Sequence, residues 1–293
     1  MKKTTGEKFF YVFNIIFMLI LASSVLFPIL NTVSVSLSDR EAIYSRAVSF
    51  YPIGWEFGAY RQVVTNSLFL RALMNNLGIT LVGTFLAVFV TLLVAYSLTK
   101  EFFGKKFFTY YFVVSMYFSG GLIPSYIIIS NYLKMRNTYW VLFLPALVNC
   151  FYVIVMRSQI DTMPTDVFEA SYIDGASEYQ TLFRVVLPMI SPTIAAIAMF
   201  FALIFWNQWF NVMVYTDYNR FWSLQYFLRV VVFEKFFSQY SNVLTSAIEL
   251  REVIPEENFR AAAVVMVALP IVAIYPFVQK YFVKGILSGA VKG

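Results

Sequence analysis

Six long apolar stretches without Asp, Glu, Lys or Arg constrain the fold of this chain more than any other feature. They are Phe9–Leu30, Ala72–Thr99, Phe107–Leu133, Asn137–Met156, Val185–Thr216 and Ala261–Gln279. A helix needs about 20 mostly apolar residues to cross a bilayer. Only 13% of all residues are charged and the mean hydropathy is +0.70. We therefore expect an all-α integral membrane protein with six transmembrane helices.

The positions of the basic residues predict the orientation of these helices. Six spans put both termini on one side, and Lys and Arg then number eleven on each side of the membrane, so the totals do not decide. The positive-inside rule gives most weight to short segments close to the spans. The N-terminal tail and one short loop are crowded with lysines: Lys2, Lys3, Lys8, Lys100, Lys105 and Lys106. We expect both termini in the cytoplasm.

Missing residue types exclude several function classes. The sequence has no His and a single Cys, Cys150, so catalysis by His or by a Cys–His pair is ruled out. No G-x-x-x-x-G-K-[ST] phosphate-binding loop occurs, so ATP must be handled by a partner. Lys and Arg are spread along the chain, which argues against nucleic acid as a partner. We expect no catalytic residue, no metal site and no cofactor.

A charged, glycine-containing connection at 157–184 interrupts the apolar pattern. Its residues predict two short helices. The first begins near Pro164 and carries Asp166 and Glu169 in its first turn, where the helix dipole favours negative charge. Gly175 supplies the left-handed conformation that commonly ends a helix.

The second short helix is predicted to begin at a capping box formed by Ser177 and Gln180. Spacings of three and four residues favour one apolar face, made by Tyr172, Ala176, Tyr179 and Phe183. The charged residues are expected mostly elsewhere: Glu169, Asp174, Glu178 and Arg184. Periodicity alone leaves two interpretations open, a connector at the membrane interface or a surface that docks on another protein.

The order E-A-S-x-x-D-G-A from Glu169, followed by Phe183, Leu187-Pro188 and Pro192, resembles the EAA motif of permease subunits of bacterial ABC importers. Ser171 departs from the family, which often has Ala there. The resemblance to the maltose-type carbohydrate permeases extends over almost the whole chain, including 51–64, 69–98 and the C-terminal YFVKGILSGAVKG. FSGGLIPSY (118–126) and WNQWFNVMVY (206–215) look most like the LplC-like subgroup.

This resemblance implies a type I ABC-importer permease fold in a bacterial cell membrane. It implies a heterodimer with a second permease, two cytoplasmic ATP-binding subunits, an extracytoplasmic solute-binding protein and a carbohydrate substrate, such as an oligosaccharide or polysaccharide fragment. A non-sugar solute is the alternative. The residues implied in coupling to the ATPase are Glu169, Ala170, Ser171, Asp174, Gly175, Ala176, Phe183, Leu187 and Pro188.

Polar residues inside the spans are candidates for a substrate pathway. Asn207 and Asn211 are four residues apart, as on one helix face, and Trp206 and Gln208 lie beside them. Amides next to aromatic rings suit sugar hydroxyls and the apolar faces of sugar rings. Bonding between helices is the alternative for Asn207 and Asn211, and it is the favoured role for Asn75 and Asn76.

The expected domain organisation has three parts. Residues 1–71 hold the N-terminal tail, the first span and an extracytoplasmic segment. Residues 72–284 hold the transmembrane core with five helices and the coupling connection. Residues 285–293 form a C-terminal cytoplasmic tail.

Overall fold

A computed structural model describes residues 4–118, 120–233 and 255–290. These ranges are helical and contain no strand. The α-helices are α1 (Thr5–Ser36), α2 (Arg40–Tyr44), α3 (Gly58–Thr65), α4 (Ser67–Thr99), α5 (Lys105–Tyr117), α6 (Leu122–Ile127), α7 (Trp140–Phe143), α8 (Cys150–Asp161), α9 (Thr165–Ile173), α10 (Glu178–Gln180), α11 (Leu187–Met189), α12 (Ser191–Trp206), α13 (Phe210–Tyr215), α14 (Leu224–Phe233) and α15 (Glu256–Ala290). The all-α prediction is confirmed.

Short segments with other helical hydrogen bonding join some of these helices. The chain is π-helical at Ile128–Tyr132, after α6, and at Thr181–Val186, between α10 and α11. It is 3₁₀-helical at Leu144–Ala146 and at Asn219–Phe221. Such segments change the direction of a helix without exposing much backbone, which suits a chain in a bilayer.

The predicted spans differ in how regular they are. Helices α1 and α4 are each long and apolar enough to cross a membrane without a break. Helix α7 with its 3₁₀ segment is bent by 54° from α8, and the run from α10 to α11 is bent by 84° from α12. The stretch from residue 107 to 133 forms α5, α6 and a π-helix, and the sixth predicted stretch lies within α15.

The prediction that Val185–Thr216 forms one span is wrong in detail. The chain bends at Ile190, between α11 and α12. Pro188 and Pro192 are each in the first two positions of the helix that contains them. Proline is tolerated there because it has no N–H to donate, but it interrupts a continuous helix.

The chain divides into two compact units, one within Met1–Leu70 and Leu228–Ile271, the other within Arg71–Phe227 and Val272–Gly293. In the first unit, the Asn258 amide donates to the carbonyls of Val35 (3.1 Å) and Ser38 (2.8 Å), which fixes the end of α1.

The core of the second unit is built from fully buried side chains that include Leu142, Met156, Ile160, Phe201 and Phe205. They come from α7, α8 and α12. Gly83 permits close packing there, because a Cβ at this position would lie 2.8 Å from the Phe205 ring. Phe168, in the charged segment between α8 and α12, packs against this core. Lys2, Lys3 and residues 291–293 of the predicted tail lie outside the described residues, and 285–290 continue α15.

Candidate functional site

The charged segment folds into a compact turn between two helices, which we call the α9–α10 hairpin (residues 165–180). Helix α8 runs on to Asp161, so the connection begins five residues later than the predicted residue 157. Helix α9 ends at Ile173, and Gly175 follows with φ +74°. The Gly175 N–H donates to the Tyr172 carbonyl (3.0 Å). The predicted left-handed glycine is confirmed.

The next hydrogen bond completes a Schellman motif. The Ala176 N–H donates to the Ser171 carbonyl at 3.1 Å. In this motif two amides beyond the helix satisfy carbonyls of its last turn. The direction of the chain after α9 is thus fixed by residues within the hairpin itself.

The second helix begins as predicted. The Ser177 hydroxyl accepts from the Gln180 N–H (3.4 Å), and the Gln180 side chain accepts from the Ser177 N–H (2.8 Å), which is a capping box. A buried hydrogen bond of 2.6 Å joins the hydroxyls of Ser171 and Thr181. The turn is therefore fixed by the Schellman motif and the capping box, and α9 is also bound to Thr181, the residue directly after α10.

The expected position of Glu169 is partly wrong. Helix α9 begins at Thr165 after Pro164, and only Asp166 lies in its first turn. Pro164 has an extended ψ of 135°, so helical geometry begins only at Thr165. Glu169 lies in the second turn, where it is exposed. Its charge is beyond the first turn, where the helix dipole acts.

The nine residues implied in coupling do not form one surface. Six are exposed: Glu169, Ala170, Asp174, Gly175, Phe183 and Pro188. Ser171 is buried, Ala176 is half-buried and Leu187 packs against the core of the second unit. Phe183 stacks on Phe89 of α4 with ring centroids 6.4 Å apart.

Two exposed apolar side chains complete the outer surface of the hairpin: Tyr179, which belongs to the predicted apolar face, and Ile173, which the sequence analysis missed. Ile173 is 86% exposed and Tyr179 is 73% exposed. The signal that points to Ile173 is its position directly before the Asp174-Gly175 turn, where a helix end projects its side chain outward. Exposed apolar groups next to carboxylates are typical of a protein-binding surface.

The expectation that the charged residues lie away from Tyr172 is wrong for Glu178. The Tyr172 hydroxyl donates to one Glu178 carboxylate oxygen at 3.1 Å, and the Tyr96 hydroxyl donates to the other at 2.5 Å. The capping box places Glu178 at the first position of α10, beside α9. Glu178 therefore faces α4 and α9.

Lys100, which directly follows α4, contacts the same residues and was also missed. Its ammonium lies 2.9 Å from Glu178 Oε2 and donates to the Tyr172 hydroxyl at 2.5 Å. It also lies over three aromatic rings, with centroid distances of 4.6 Å to Tyr96, 5.6 Å to Phe168 and 5.2 Å to Tyr172. We call these five residues the Lys100 cluster. The sequence feature that could have identified Lys100 as a site residue is its position directly after an uncharged span.

The hydrogen bonds of the Lys100 cluster keep the lysine charged. Burial lowers the pKa of Lys100, but hydrogen bonds to Tyr172, Tyr96 and Glu178 outweigh burial and raise this pKa above its ordinary value. An ammonium is attracted by the faces of aromatic rings and by a carboxylate together. The cluster is thus a charged contact between the end of α4 and the α9–α10 hairpin.

The candidate pathway residues do not share one helix face as predicted. Helix α12 ends at Trp206, Asn207 follows as its cap, and α13 begins at Phe210, so Asn207 and Asn211 are on different sides of a break. The Asn207 amide donates to the Leu203 carbonyl at 2.9 Å, within its own helix. Satisfying the carbonyls of a helix end competes with continuing the helix.

Gln208 and Trp206 lie deeper than Asn207. Gln208 is 8% exposed and its amide nitrogen donates to the Leu142 carbonyl at 2.8 Å. Within the described residues, neither the Gln208 amide oxygen nor the Trp206 indole nitrogen has a hydrogen-bond partner. Buried polar groups are nearly always paired, so these two groups require an explanation.

Asn75 and Asn76 join separate parts of the second unit, in agreement with the favoured interpretation. The Asn75 amide donates to the Arg220 carbonyl (2.7 Å), and Asn76 bonds the Trp206 carbonyl (3.3 Å) and the Leu224 N–H (3.2 Å). Interhelical bonds of this kind are common in membrane bundles.

An all-helical membrane chain with bent spans and a charged helical hairpin between two of them has the architecture of a transport permease. Residues 59–288 match the family described as "Binding-protein-dependent transport system inner membrane component". This chain belongs to that family, and it is a multi-pass permease subunit of the ABC-importer type.

Similar proteins are found over the full length. The chain is 33% identical to the protein LplC of Bacillus subtilis, over 100% of this chain and 98% of LplC. It is 29% identical to the B. subtilis polygalacturonan/rhamnogalacturonan transport system permease protein YtcP, over 94% of this chain and 96% of YtcP. It also resembles a chain of the crystal structure of a bacterial ABC transporter involved in the import of the acidic polysaccharide alginate, with a TM-score of 0.89, 26% identity, and coverage of 96% and 99%. The expected permease family and fold are confirmed.

Proposed function

We propose that this chain forms, with a second permease, the translocation pathway for an oligosaccharide or polysaccharide fragment in an ATP-driven importer. The observation that carries the substrate class is the resemblance, over nearly all of both chains, to a subunit of a transporter for an acidic polysaccharide. YtcP, whose name states a pectic polysaccharide substrate, supports the same class. A non-sugar solute remains the alternative, because the hairpin is the proposed contact with the ATP-binding subunit and gives no information on the transported solute.

The α9–α10 hairpin is proposed to dock on a separate ATP-binding subunit. Its outer surface presents the carboxylates of Glu169 and Asp174 next to the apolar side chains of Ile173 and Tyr179. A buried apolar contact surrounded by charges suits specific and reversible protein association. The fixed turn at Gly175 presents this surface in one conformation, which lowers the entropy cost of binding.

The assembly proposed around the chain follows the same family pattern. Two cytoplasmic ATP-binding subunits supply the energy, and an extracytoplasmic solute-binding protein delivers the carbohydrate. Both termini and the α9–α10 hairpin lie in the cytoplasm, with 72–284 as the transport core between a segment at 1–71 and a tail at 285–293. None of the described residues in the most apolar part of α1 is buried against other parts of this chain. This exposed helix is suited to contact membrane lipid or the second permease.

The polar groups around the break between α12 and α13 are proposed to line the substrate pathway. The side-chain amides at the break and the Trp206 indole N–H support this proposal, because they offer acceptors and donors beside an aromatic ring. A sugar hydroxyl is both donor and acceptor and so satisfies either group. Asn207 and Asn211 flank the break and are kept in the proposal, with bonding between helices as the alternative.

Reconstitution in proteoliposomes tests the proposed function. The tagged chain is co-expressed with its permease partner and ATP-binding subunit, and uptake of labelled acidic and neutral oligosaccharides is measured with the binding protein present. We expect ATP-dependent uptake of an oligosaccharide and co-purification of the ATP-binding subunit. Uptake of a peptide or amino acid, with none of any saccharide, would favour the alternative solute class.

A further inference from the structure

We propose that Lys100 is the positioning residue that transmits movement of the α9–α10 hairpin sideways to helix α4. This inference rests on the proposed docking of the hairpin on an ATP-binding subunit. It adds a residue outside the EAA-like motif and assigns it a mechanical role. Three structural elements, α4, α9 and α10, meet at the Lys100 ammonium group.

Lys100 connects α4 with both arms of the hairpin. It is the residue after Thr99, the last residue of α4. Its ammonium pairs with Glu178 of α10 at 2.9 Å and donates to the Tyr172 hydroxyl of α9 at 2.5 Å. No other ion pair among the described residues joins α9 or α10 to another element.

The hairpin is built to move as one body. The Schellman turn at Gly175 and the capping box at Ser177 fix its two arms, and the buried hydrogen bond from Ser171 to Thr181, the residue directly after α10, holds α9 beside the same helical run. A force applied to its outer surface therefore displaces Glu178 and Tyr172 together. Both residues hold the ammonium of Lys100, so the end of α4 is displaced with them.

Helix α4 is better suited to carry the movement than the chain that follows the hairpin. That chain passes through the π-helix at Thr181–Val186 and an 84° bend before α12. Helix α4 is unbroken over 33 residues, which at 1.5 Å per residue is about 50 Å, enough to cross the bilayer. Phe183, in the π-helix that follows the hairpin, stacks on Phe89 of α4, so the helical run after the hairpin also contacts α4.

Neutral and conservative variants separate this role from a structural one. Lys100→Met keeps the aliphatic stem but removes the charge, and Lys100→Arg keeps the charge. Glu178→Gln keeps the size and the hydrogen-bond acceptor for Tyr96 but loses the ion pair. Lys105→Met is the matched control, because Lys105, the first residue of α5, is a nearby lysine that pairs at 2.8 Å with Glu101 of the preceding loop and not with the hairpin.

The experiment measures three quantities on the full transporter in proteoliposomes: recovery of the ATP-binding subunit, its hydrolysis rate, and solute uptake. For Lys100→Met and Glu178→Gln, we expect recovery equal to that of Lys105→Met and uptake per ATP hydrolysed lowered about fivefold, within the range that residues of a coupling network show. Lys100→Arg is expected to retain most of the coupling.

Two results would overturn the role of Lys100. One is uptake per ATP in Lys100→Met equal to that in Lys105→Met. The other is parallel loss of subunit recovery and uptake in both Lys100→Met and Glu178→Gln, which indicates a purely structural contact. If the wild-type chain itself neither recovers the ATP-binding subunit nor supports uptake, the proposed function fails, which is a separate outcome.

Discussion

Substitution of Gly175 by valine tests the docking role of the hairpin most directly. Gly175 has φ +74°, and nothing lies within 4 Å of a Cβ built on it. The new Cβ therefore meets no neighbouring atom, and the cost that the structure shows comes from the backbone conformation. A left-handed conformation costs an L-residue about 1–2 kcal/mol, and a β-branched residue is at the upper end of this range.

The strain converts into a loss of affinity for the ATP-binding subunit. If docking requires the ordered turn, a cost of about 1–2 kcal/mol lowers the competent fraction and raises the apparent Kd by about 5- to 30-fold. The assay titrates purified ATP-binding subunit onto the permease pair in nanodiscs. Membrane insertion of the permease should not change, since the hairpin lies outside the expected spans.

Asparagine at the same position is the matched control. Asn tolerates the left-handed region better than other L-residues, so Gly175→Asn should bind nearly as tightly as the wild type. Equal affinity of the wild type and Gly175→Val would show that the hairpin is a passive connector. Equal weakening by Val and Asn would show that lost contact space, and not backbone strain, is the cause.

Three further predictions concern the docking surface, the nucleotide and the pathway. Glu169→Lys should weaken recovery of the ATP-binding subunit by about two- to fivefold, because an exposed ion pair contributes up to about 1 kcal/mol; unchanged recovery would remove Glu169 from the interface. The purified chain alone should not bind ATP in a filter-binding assay, since it lacks a phosphate-binding loop, and stoichiometric binding would contradict this. Replacing Asn207 and Asn211 together by Leu should lower uptake with assembly intact, because an apolar wall offers no replacement for the water that sugar hydroxyls release. Full uptake would exclude the pathway role, and loss of assembly would favour bonding between helices.

Local features of the hairpin were predictable because adjacent residues determine them. The Ser177–Gln180 capping box needs only two side chains three residues apart, and Gly175 is the residue type that a left-handed position favours. The membrane class was predictable for a similar reason, since an uncharged stretch of about 20 residues has few alternatives.

Features that depend on tertiary contacts were not predictable. The Lys100–Glu178 pair joins residues far apart in the sequence, and nothing in either neighbourhood specifies the other. The same holds for the break after Trp206: four-residue spacing suggested one face for Asn207 and Asn211, but α12 ends at Trp206 and α13 begins only at Phe210. Sequence periodicity assumes that a helix continues, and it gives no information on where the helix stops.

The carboxylates of the hairpin fall into two sets that face different neighbours. Glu169 and Asp174 lie on the exposed outer surface, whereas Glu178, whose side chain is 56% exposed, bonds to Tyr96 and Lys100 at the end of α4. Changes in the exposed set should act on the affinity for the ATP-binding subunit, and changes at the inner pair should act on uptake per ATP at equal affinity. Because the turn at Gly175 lies between the two sets, its distortion should affect both quantities. Variants of Glu169, Lys100 and Gly175 can be ranked by their affinity for the ATP-binding subunit and by their uptake per ATP hydrolysed. This ranking tests whether the hairpin acts as one rigid body between the ATP-binding subunit and α4.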